Sequence, residues 1–229
     1  MRILVVENDS SVAQSVELML KTAGFIVQVT DLGEEAIDLA KVYEYDLITL
    51  SLKLPDMYGL QVLKALRAAK IDTPVIVLGQ TQAVDIKVSY LEAGADDFLS
   101  RPFHQDELIA RTRAVSRRSL GHARPSIELG NVCLRINERC VYVGDSRLNL
   151  KPKEFGVLEL LMLRKNIPIE SESFLQHLYG HGDAPENRII GVYVSNVRKK
   201  LAGAKATAGI VTIWGFGYSF RDLSDMACT

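Results

Sequence analysis

Five short apolar runs, regularly spaced over the first hundred residues, constrain this chain more than any other feature. They are ILVV (3–6), FIVQV (25–29), LITL (47–50), VIVL (75–78) and DFL (97–99). Between and after them lie segments with helical apolar spacing: Val12, Val16 and Leu20 with Met19; Leu60, Leu63 and Leu66; Leu108, Ile109 and Val115. Apolar strands without alternation are buried on both faces, as in a parallel sheet covered by helices. Five such units predict a (βα)5 open sheet, an α/β fold. Pro55 and Gly59 bound the loop after the third strand, and Gly94 marks the end of the fourth helix.

Composition narrows the setting. The chain has 229 residues, 24% charged and 48% hydrophobic, which excludes a disordered chain, a collagen and a disulfide-rich miniprotein. No apolar run approaches the ~18 residues a membrane span needs, and MRILVVENDSS lacks the long apolar core of a signal peptide. Cys133, Cys140 and Cys228 follow no metal-ligand spacing, so reduced thiols and a cytoplasmic location are expected, with no metal and no cofactor. The charge is asymmetric. Residues 1–119 hold 13 basic and 17 acidic side chains, a net −4, and the remainder holds 14 and 11, a net +3. An acidic half joined to a mildly basic half points to two tasks, and the placement of the basic residues must decide what the second one is.

In an open α/β sheet, chemistry sits beyond the carboxyl ends of the strands. Those ends carry Glu7-Asn8-Asp9 after the first strand, Ser51 after the third, Gly79 after the fourth and Arg101-Pro102-Phe103 after the fifth. The order ILVVE, LSLKLPDMYG, PVIVL, AGADDFLSRPF resembles the receiver domain of bacterial two-component response regulators over residues 1–118. The resemblance implies acids after strand 1 that hold Mg²⁺, an accepting aspartate after strand 3, a Ser/Thr after strand 4 and a Lys after strand 5. The chain departs from that pattern at four of these positions. Ser51 stands at the acceptor position without an evident base, and Asn8 replaces a metal-binding acid. Gly79 has no hydroxyl, and Arg101 replaces the Lys with a different geometry. Only Glu7 fits, with Asp9 nearby. Loss of aspartyl phosphorylation is expected, with Ser51, Asn8 and Gly79 merely closing strand-end loops.

A second receiver feature survives. In the OmpR/PhoB subfamily, receivers pair through helix 4, strand 5 and helix 5 across interlocking charges, and the matching positions are Lys87, Asp96, Asp97, Glu107, Arg111 and Arg118. Glu107 and Arg111 lie one helical turn apart. Such residues are commonly a plain solvated face, but every matching position keeps the expected sign. Dimerisation independent of phosphate is therefore expected.

Residues 119–126 have linker composition, and residues 127–229 read as a second, α+β domain. Short strands are expected at 127–129, 132–136, 140–143 and 147–150. A helix follows in KPKEFGVLELLMLRK, with Pro152 in its first turn and Phe155, Leu158, Leu161 and Met162 on one stripe. ESFLQHLYG forms a shorter helix closed by Gly180, and GIVTIWGFGYSFRD forms a hairpin. The decisive segment is PENRIIGVYVSNVRKKL (185–201). Ile190, Val194, Val197 and Leu201 make its buried stripe. Arg188, Val192, Ser195 and Lys199 lie opposite, with Asn196 and Arg198 on the shoulders. That face suits a DNA major groove: Arg for guanine, Asn for adenine, a small apolar group for the thymine methyl, Lys199 and Lys200 for phosphate. Composition alone favours a plain solvated surface, and the surrounding motifs shift the balance.

The combination of β-platform, LxxKEF helix, short helix, RIIxVxVxxVRKKL helix and WGxGY hairpin resembles the OmpR/PhoB winged helix–turn–helix. DLGEEAIDLAK, QHLYG and RKKLA resemble its cell-cycle branch. The resemblance implies DNA contacts at Arg188, Val192, Tyr193, Ser195, Asn196, Arg198 and Lys199, and at the wing residues Thr212, Trp214 and Phe216. Positions 195, 196 and 216 are basic or otherwise polar in many relatives, so the inherited target sequence is in doubt. Gly191 costs roughly 1 kcal/mol of helix propensity relative to Ala. The loop Tyr179–Pro185 corresponds to one that can touch RNA polymerase, and its flanking His177 and His181 are expected as surface or packing residues rather than metal ligands.

The expected molecule is a non-enzymatic, phosphorylation-independent transcription regulator that binds double-stranded DNA with paired half-sites as a homodimer. The main alternative is a protein–protein regulator that pairs with an intact response regulator and binds DNA weakly. A Mg²⁺-dependent phosphoacceptor is disfavoured by Asn8 and Ser51. The sequence neither supports nor excludes a small ligand in the acceptor pocket.

Overall fold

The computed structural model describes residues 1–80, 83–179 and 185–224. The chain forms two compact units, Met1–Ser119 and Leu120–Thr229, each with its own core.

The first unit alternates strand and helix without interruption: β1 (Arg2–Val6), α1 (Ser10–Thr22), β2 (Ile26–Thr30), α2 (Gly33–Val42), β3 (Leu47–Ser51), α3 (Gly59–Ala68), β4 (Val75–Gly79), α4 (Val84–Glu92), β5 (Asp97–Ser100) and α5 (Gln105–Ser119). All four strand pairings are parallel, in the order β2-β1-β3-β4-β5. Alternate residues of β1 feed two separate layers. Leu4 and Val6 join Val62, Leu63 and Leu66 on one face, while Ile3 and Val5 join Val16, Leu20 and Leu108 on the other. Each fully buried aliphatic side chain contributes about 1.5–3 kcal/mol. The three central strands are buried throughout, as expected. Strands β2 and β5 are partly exposed because they are the edges of the sheet, so burial on both faces does not extend to them. Chain order reverses between β1 and β3, which places the crevice for chemistry at their carboxyl ends.

The second unit opens with an antiparallel sheet of β6 (Ser126–Leu129), β7 (Val132–Arg135), β8 (Cys140–Val143) and β9 (Ser146–Leu148). Three helices follow: α6 (Pro152–Leu163), α7 (Ser171–Tyr179) and α8 (Arg188–Gly203). The unit closes with the hairpin β10 (Ala208–Ile213) and β11 (Gly217–Asp222). Pro152 occupies the first turn of α6, where its missing N–H costs nothing. The Glu154 carboxylate accepts from Lys151 N–H at 2.8 Å and caps that turn. Helix α6 is buried from Glu154 to Leu163 rather than along one stripe, because it is the central helix of the unit. Helix α8 buries Ile190, Val194, Val197 and Leu201, as its spacing predicts. It begins at Arg188, so Pro185–Asn187 precede the helix instead of opening it. His177 packs in the core, its Nε2 3.9 Å from Glu159 Oε2. His181, Gly180 and Cys228 lie outside the described residues. Among the described residues, no helix is long and apolar enough to cross a membrane.

Candidate acceptor pocket and nucleic-acid interface

The carboxyl ends of β1, β3 and β4 enclose a small cavity of about 260 Å³, lined by Glu7, Asn8, Asp9, Ser51, Gly79 and Arg101 among others. The sequence-expected acceptor-site residues do converge here. Their chemistry is turned inward. The Arg101 guanidinium forms an ion pair with the buried Glu7 carboxylate. The other Glu7 oxygen accepts from Asp9 N–H at 3.1 Å and lies 3.5 Å from Ser51 Oγ. With its amide oriented to satisfy its neighbours, Asn8 donates to Glu7 Oε1 at 3.2 Å and to the Lys53 carbonyl at 2.9 Å. Asp9 caps helix α1, accepting from Ser11 N–H at 2.9 Å and Val12 N–H at 3.1 Å. This set does not fit Mg²⁺. A hard cation needs anionic oxygens free to turn toward it. Here one acid is neutralised by arginine, another is spent on a helix cap, and the rest are an amide and a hydroxyl. Among the described residues no group of three or more His, Cys, Asp or Glu could hold a metal ion.

Gly79 explains itself sterically. A Cβ there would lie 2.6 Å from Leu52 Cδ1 and 2.9 Å from Phe98 Cζ. The volume that a Ser or Thr side chain would need is filled by these two residues. Phe98 in turn meets Tyr90 edge-on, ring centroids 6.3 Å apart, and Tyr90 donates its hydroxyl to the Leu52 carbonyl at 3.1 Å. The inner end of β4 is thus an apolar plug rather than a hydroxyl-bearing wall.

On the face of α4, β5 and α5 the charged residues pair within the chain. Arg111 donates to Asp97 at 2.9 Å and, through Nε and a terminal nitrogen, to Glu107 at 2.9 and 2.7 Å. These carboxylates hold its guanidinium above the usual range. Asp96 accepts from Val75 N–H at 2.8 Å and from Arg67 at 3.4 Å, an intramolecular clasp between α3, β4 and β5. Lys87 Nζ lies 5.5 Å from the centre of the Phe98 ring, and Arg118 donates to the Ala114 carbonyl at 3.3 Å. Beside them α4 exposes Val84, Val88 and Leu91 along one face, an apolar patch that the charge pattern alone did not reveal, and Ile86 on another.

The second unit separates outward residues from anchoring ones. Arg188, Val192, Ser195 and Lys199 are exposed on α8, and Asn196 is half-buried at its shoulder. Val192 is 51% exposed. Arg188 pairs loosely with Glu186 at 3.7 Å. Three residues of α8 that the sequence offered as DNA contacts fold back within the unit. Arg198 donates to the Ile210 carbonyl at 2.9 Å and to Thr212 Oγ1 at 2.8 Å, its guanidinium 5.7 Å from the Tyr218 ring centre. It therefore fastens α8 to the hairpin, and Thr212 shares that duty. Tyr193 shares a 2.6 Å hydroxyl–hydroxyl bond with Tyr179. Burial and this neighbour push the Tyr179 phenol up to about 12. Lys200 donates to Glu154 at 2.6 Å and to the Asn149 carbonyl at 2.9 Å, so it ties α8 to the α6 cap instead of standing free for phosphate. Burial opposes ionisation of Glu154, but Lys200 and the Lys151 N–H outweigh it and hold the carboxyl below its ordinary range. At the hairpin tip, Trp214 and Phe216 are 89% and 63% exposed.

A parallel (βα)5 unit followed by a three-helix unit with a terminal β-hairpin defines a class: a receiver joined to a winged helix–turn–helix. Residues 3–113 match the response regulator receiver domain, and residues 145–220 match the C-terminal domain of transcriptional regulatory proteins. The chain belongs to the response regulators of OmpR/PhoB type, the DNA-binding transcriptional regulators built from these two domains. It is 50% identical over 223 residues to the cell cycle transcriptional regulator CtrA of Caulobacter vibrioides, covering 97% of this chain and 96% of that one. The cell cycle response regulator CtrA of Brucella anthropi is 48% identical over the same shares. The receiver domain of the Francisella response regulator 1452 is 34% identical with a TM-score of 0.50, covering 52% of this chain and 98% of that one. These relatives are regulators, not enzymes.

Proposed function

We propose that this protein is a phosphorylation-independent transcription regulator that acts as a dimer through α4, β5 and α5 and binds paired half-sites on double-stranded DNA. One observation carries the reading: the acceptor pocket satisfies itself. Arg101 neutralises Glu7, Asp9 caps a helix, Ser51 stands at the acceptor position and Leu52 with Phe98 fills the space beside Gly79. Phosphoryl transfer to this site would need a metal that the donors do not suit and a nucleophile that Ser51 lacks the base to provide. The apolar patch of α4, rimmed by Lys87, Asp97, Glu107, Arg111 and Arg118, supports self-association, with the charge pairs re-partnering across the dimer. Residues 1–118 would then be the dimerisation domain, 119–126 the linker and 127–229 the DNA-binding domain. The proposed contacts fall into two groups. Arg188, Val192, Ser195, Asn196 and Lys199 with wing residues Trp214 and Phe216 face DNA, while Arg198, Thr212 and Tyr193 hold the reading head together. The similarity to CtrA points to cell-cycle transcription control in the cytoplasm, with residues 179–185, of which 180–184 lie outside the described residues, as a place for RNA polymerase.

Sedimentation equilibrium of the full chain at micromolar concentration tests the dimer. A dimer of unchanged affinity with and without beryllofluoride is expected. A monomer that dimerises only on adding beryllofluoride contradicts the reading.

A second reading rests on the same α4 patch: pairing with an intact response regulator that it antagonises. Co-purification of a mixed dimer that no longer binds the relative's DNA would favour it.

A further inference from the structure

The wing tip carries two exposed aromatic rings and no cation. Trp214, Gly215 and Phe216 connect β10 to β11, and Phe216 N–H donates to the Ile213 carbonyl at 2.9 Å. Large apolar side chains left this exposed on a tight turn mark a contact site. The turn is held stiffly from two sides. Gly217, at φ +108°, lies so close to the Ile169 carbonyl that a Cβ would fall 2.1 Å from its oxygen. Tyr218 and Ile169 exchange backbone hydrogen bonds of 3.0 and 2.8 Å there. Arg198 ties the other strand to α8 through Ile210 and Thr212. The backbone that carries the rings is thus held relative to the basic outer face of α8, so binding has mainly the ring torsions left to order.

Resting on the reading that α8 enters a major groove, we propose that Trp214 and Phe216 form an apolar wedge. The wedge enters the adjacent minor groove and partly unstacks a base step there. A tip without Arg or Lys cannot read the narrow groove through its negative potential. Planar apolar rings can instead stack on bases, and pyrimidine–purine steps, TA above all, open at least cost. The wing therefore adds a preference for a deformable step beside each half-site and bends the duplex, compensating for the sparse charge on α8. Continuity with α8 and its exposed Arg188 and Lys199 selects DNA as the occupant over a membrane or a second protein.

Trp214 is the sole tryptophan of the chain, so fluorescence excited at the red edge of the protein absorption, where tyrosine does not absorb, reports on the wedge. The full-length protein is titrated onto a duplex that it selects from a random pool, with end-label anisotropy measuring affinity independently. 2-Aminopurine is placed in turn at each step flanking the half-sites. The expected result is quenching of Trp214 together with a rise of 2-aminopurine emission at one flanking step. Trp214→Ala and Phe216→Ala each lose affinity by roughly five- to hundred-fold, lose the 2-aminopurine rise and keep the salt slope. Replacing the responsive TA step by GC weakens wild type but not Trp214→Ala. Full selective affinity with unchanged Trp214 and 2-aminopurine signals overturns the wedge and leaves DNA binding intact. Absence of any selective duplex overturns both. Quenching of Trp214 by phosphatidylglycerol vesicles but not by DNA assigns the tip to a lipid surface and also overturns the wedge.

Discussion

At the residue scale, the second unit separates exposed side chains of α8, which the proposal places on DNA, from side chains that bond within the unit. Lys199 is exposed on α8, whereas Arg198 is spent on Ile210 and Thr212. A phosphate contact releases about one counterion, and its loss lowers the salt slope by roughly 0.9. Lys199→Ala should therefore weaken binding and flatten the salt dependence by about that amount. Arg198→Ala should weaken binding with the slope nearly kept, because the loss is one of geometry. Anisotropy titrations over a salt series separate the two, and an equal slope change for both variants would place Arg198 on phosphate. Glu154 is a second residue bonded within the unit, through Lys200. Its native pKa lies below its unfolded value, so its contribution is complete above about pH 5. It is lost as pH falls through the lowered native value. Glu154→Gln should cost roughly 1–2 kcal/mol at pH 7, discounted for the partly exposed Lys200. It should also make the stability of this unit flatter than wild type between neutral and acid pH. Denaturant melts at several pH values measure this.

At the element scale, helix α8 carries a glycine where a better helix former would fit. A Cβ on Gly191 would meet nothing nearer than the Tyr218 hydroxyl at 3.8 Å. Gly191→Ala should stabilise the second unit by up to about 1 kcal/mol, raising its melting temperature by roughly 4 °C. A lower melting temperature would show that the backbone there needs glycine. Elements are also where the sequence was most and least informative. The five parallel strands and the buried stripe of α8 were legible because periodicity follows from burial. The edge positions of β2 and β5 were not, since an apolar run does not say what lies beside it. Helix α6 looked one-sided because its Glu154 and Glu159 mimic a polar face, although both are buried. The acceptor-pocket residues were found at their strand ends, but the Arg101–Glu7 pair and the Phe98 plug were invisible. The same holds for Arg198, Tyr193 and Lys200. Helical spacing fixes where a Cα points, not where a long side chain finds its partner.

At the scale of the whole molecule, the proposal assigns self-association to the first unit and DNA binding to the second. The receiver has the (βα)5 fold, exposed apolar residues on α4 and charged residues on α5, while the groups of its strand-end pocket are engaged in internal ion pairing and packing. The winged helix exposes Arg188, Val192, Ser195 and Lys199 on α8 and an aromatic tip on its hairpin. A regulator of this kind would be controlled by its abundance or its partners rather than by a phosphodonor. The most direct test is fluorescence anisotropy of the untreated full-length protein on a duplex selected from a random pool and on its scrambled counterpart, each with and without acetyl phosphate. Tight binding to the selected duplex alone, unchanged by acetyl phosphate, is the predicted result. Binding that appears only after acetyl phosphate is added, or that does not distinguish the two duplexes, would contradict the account.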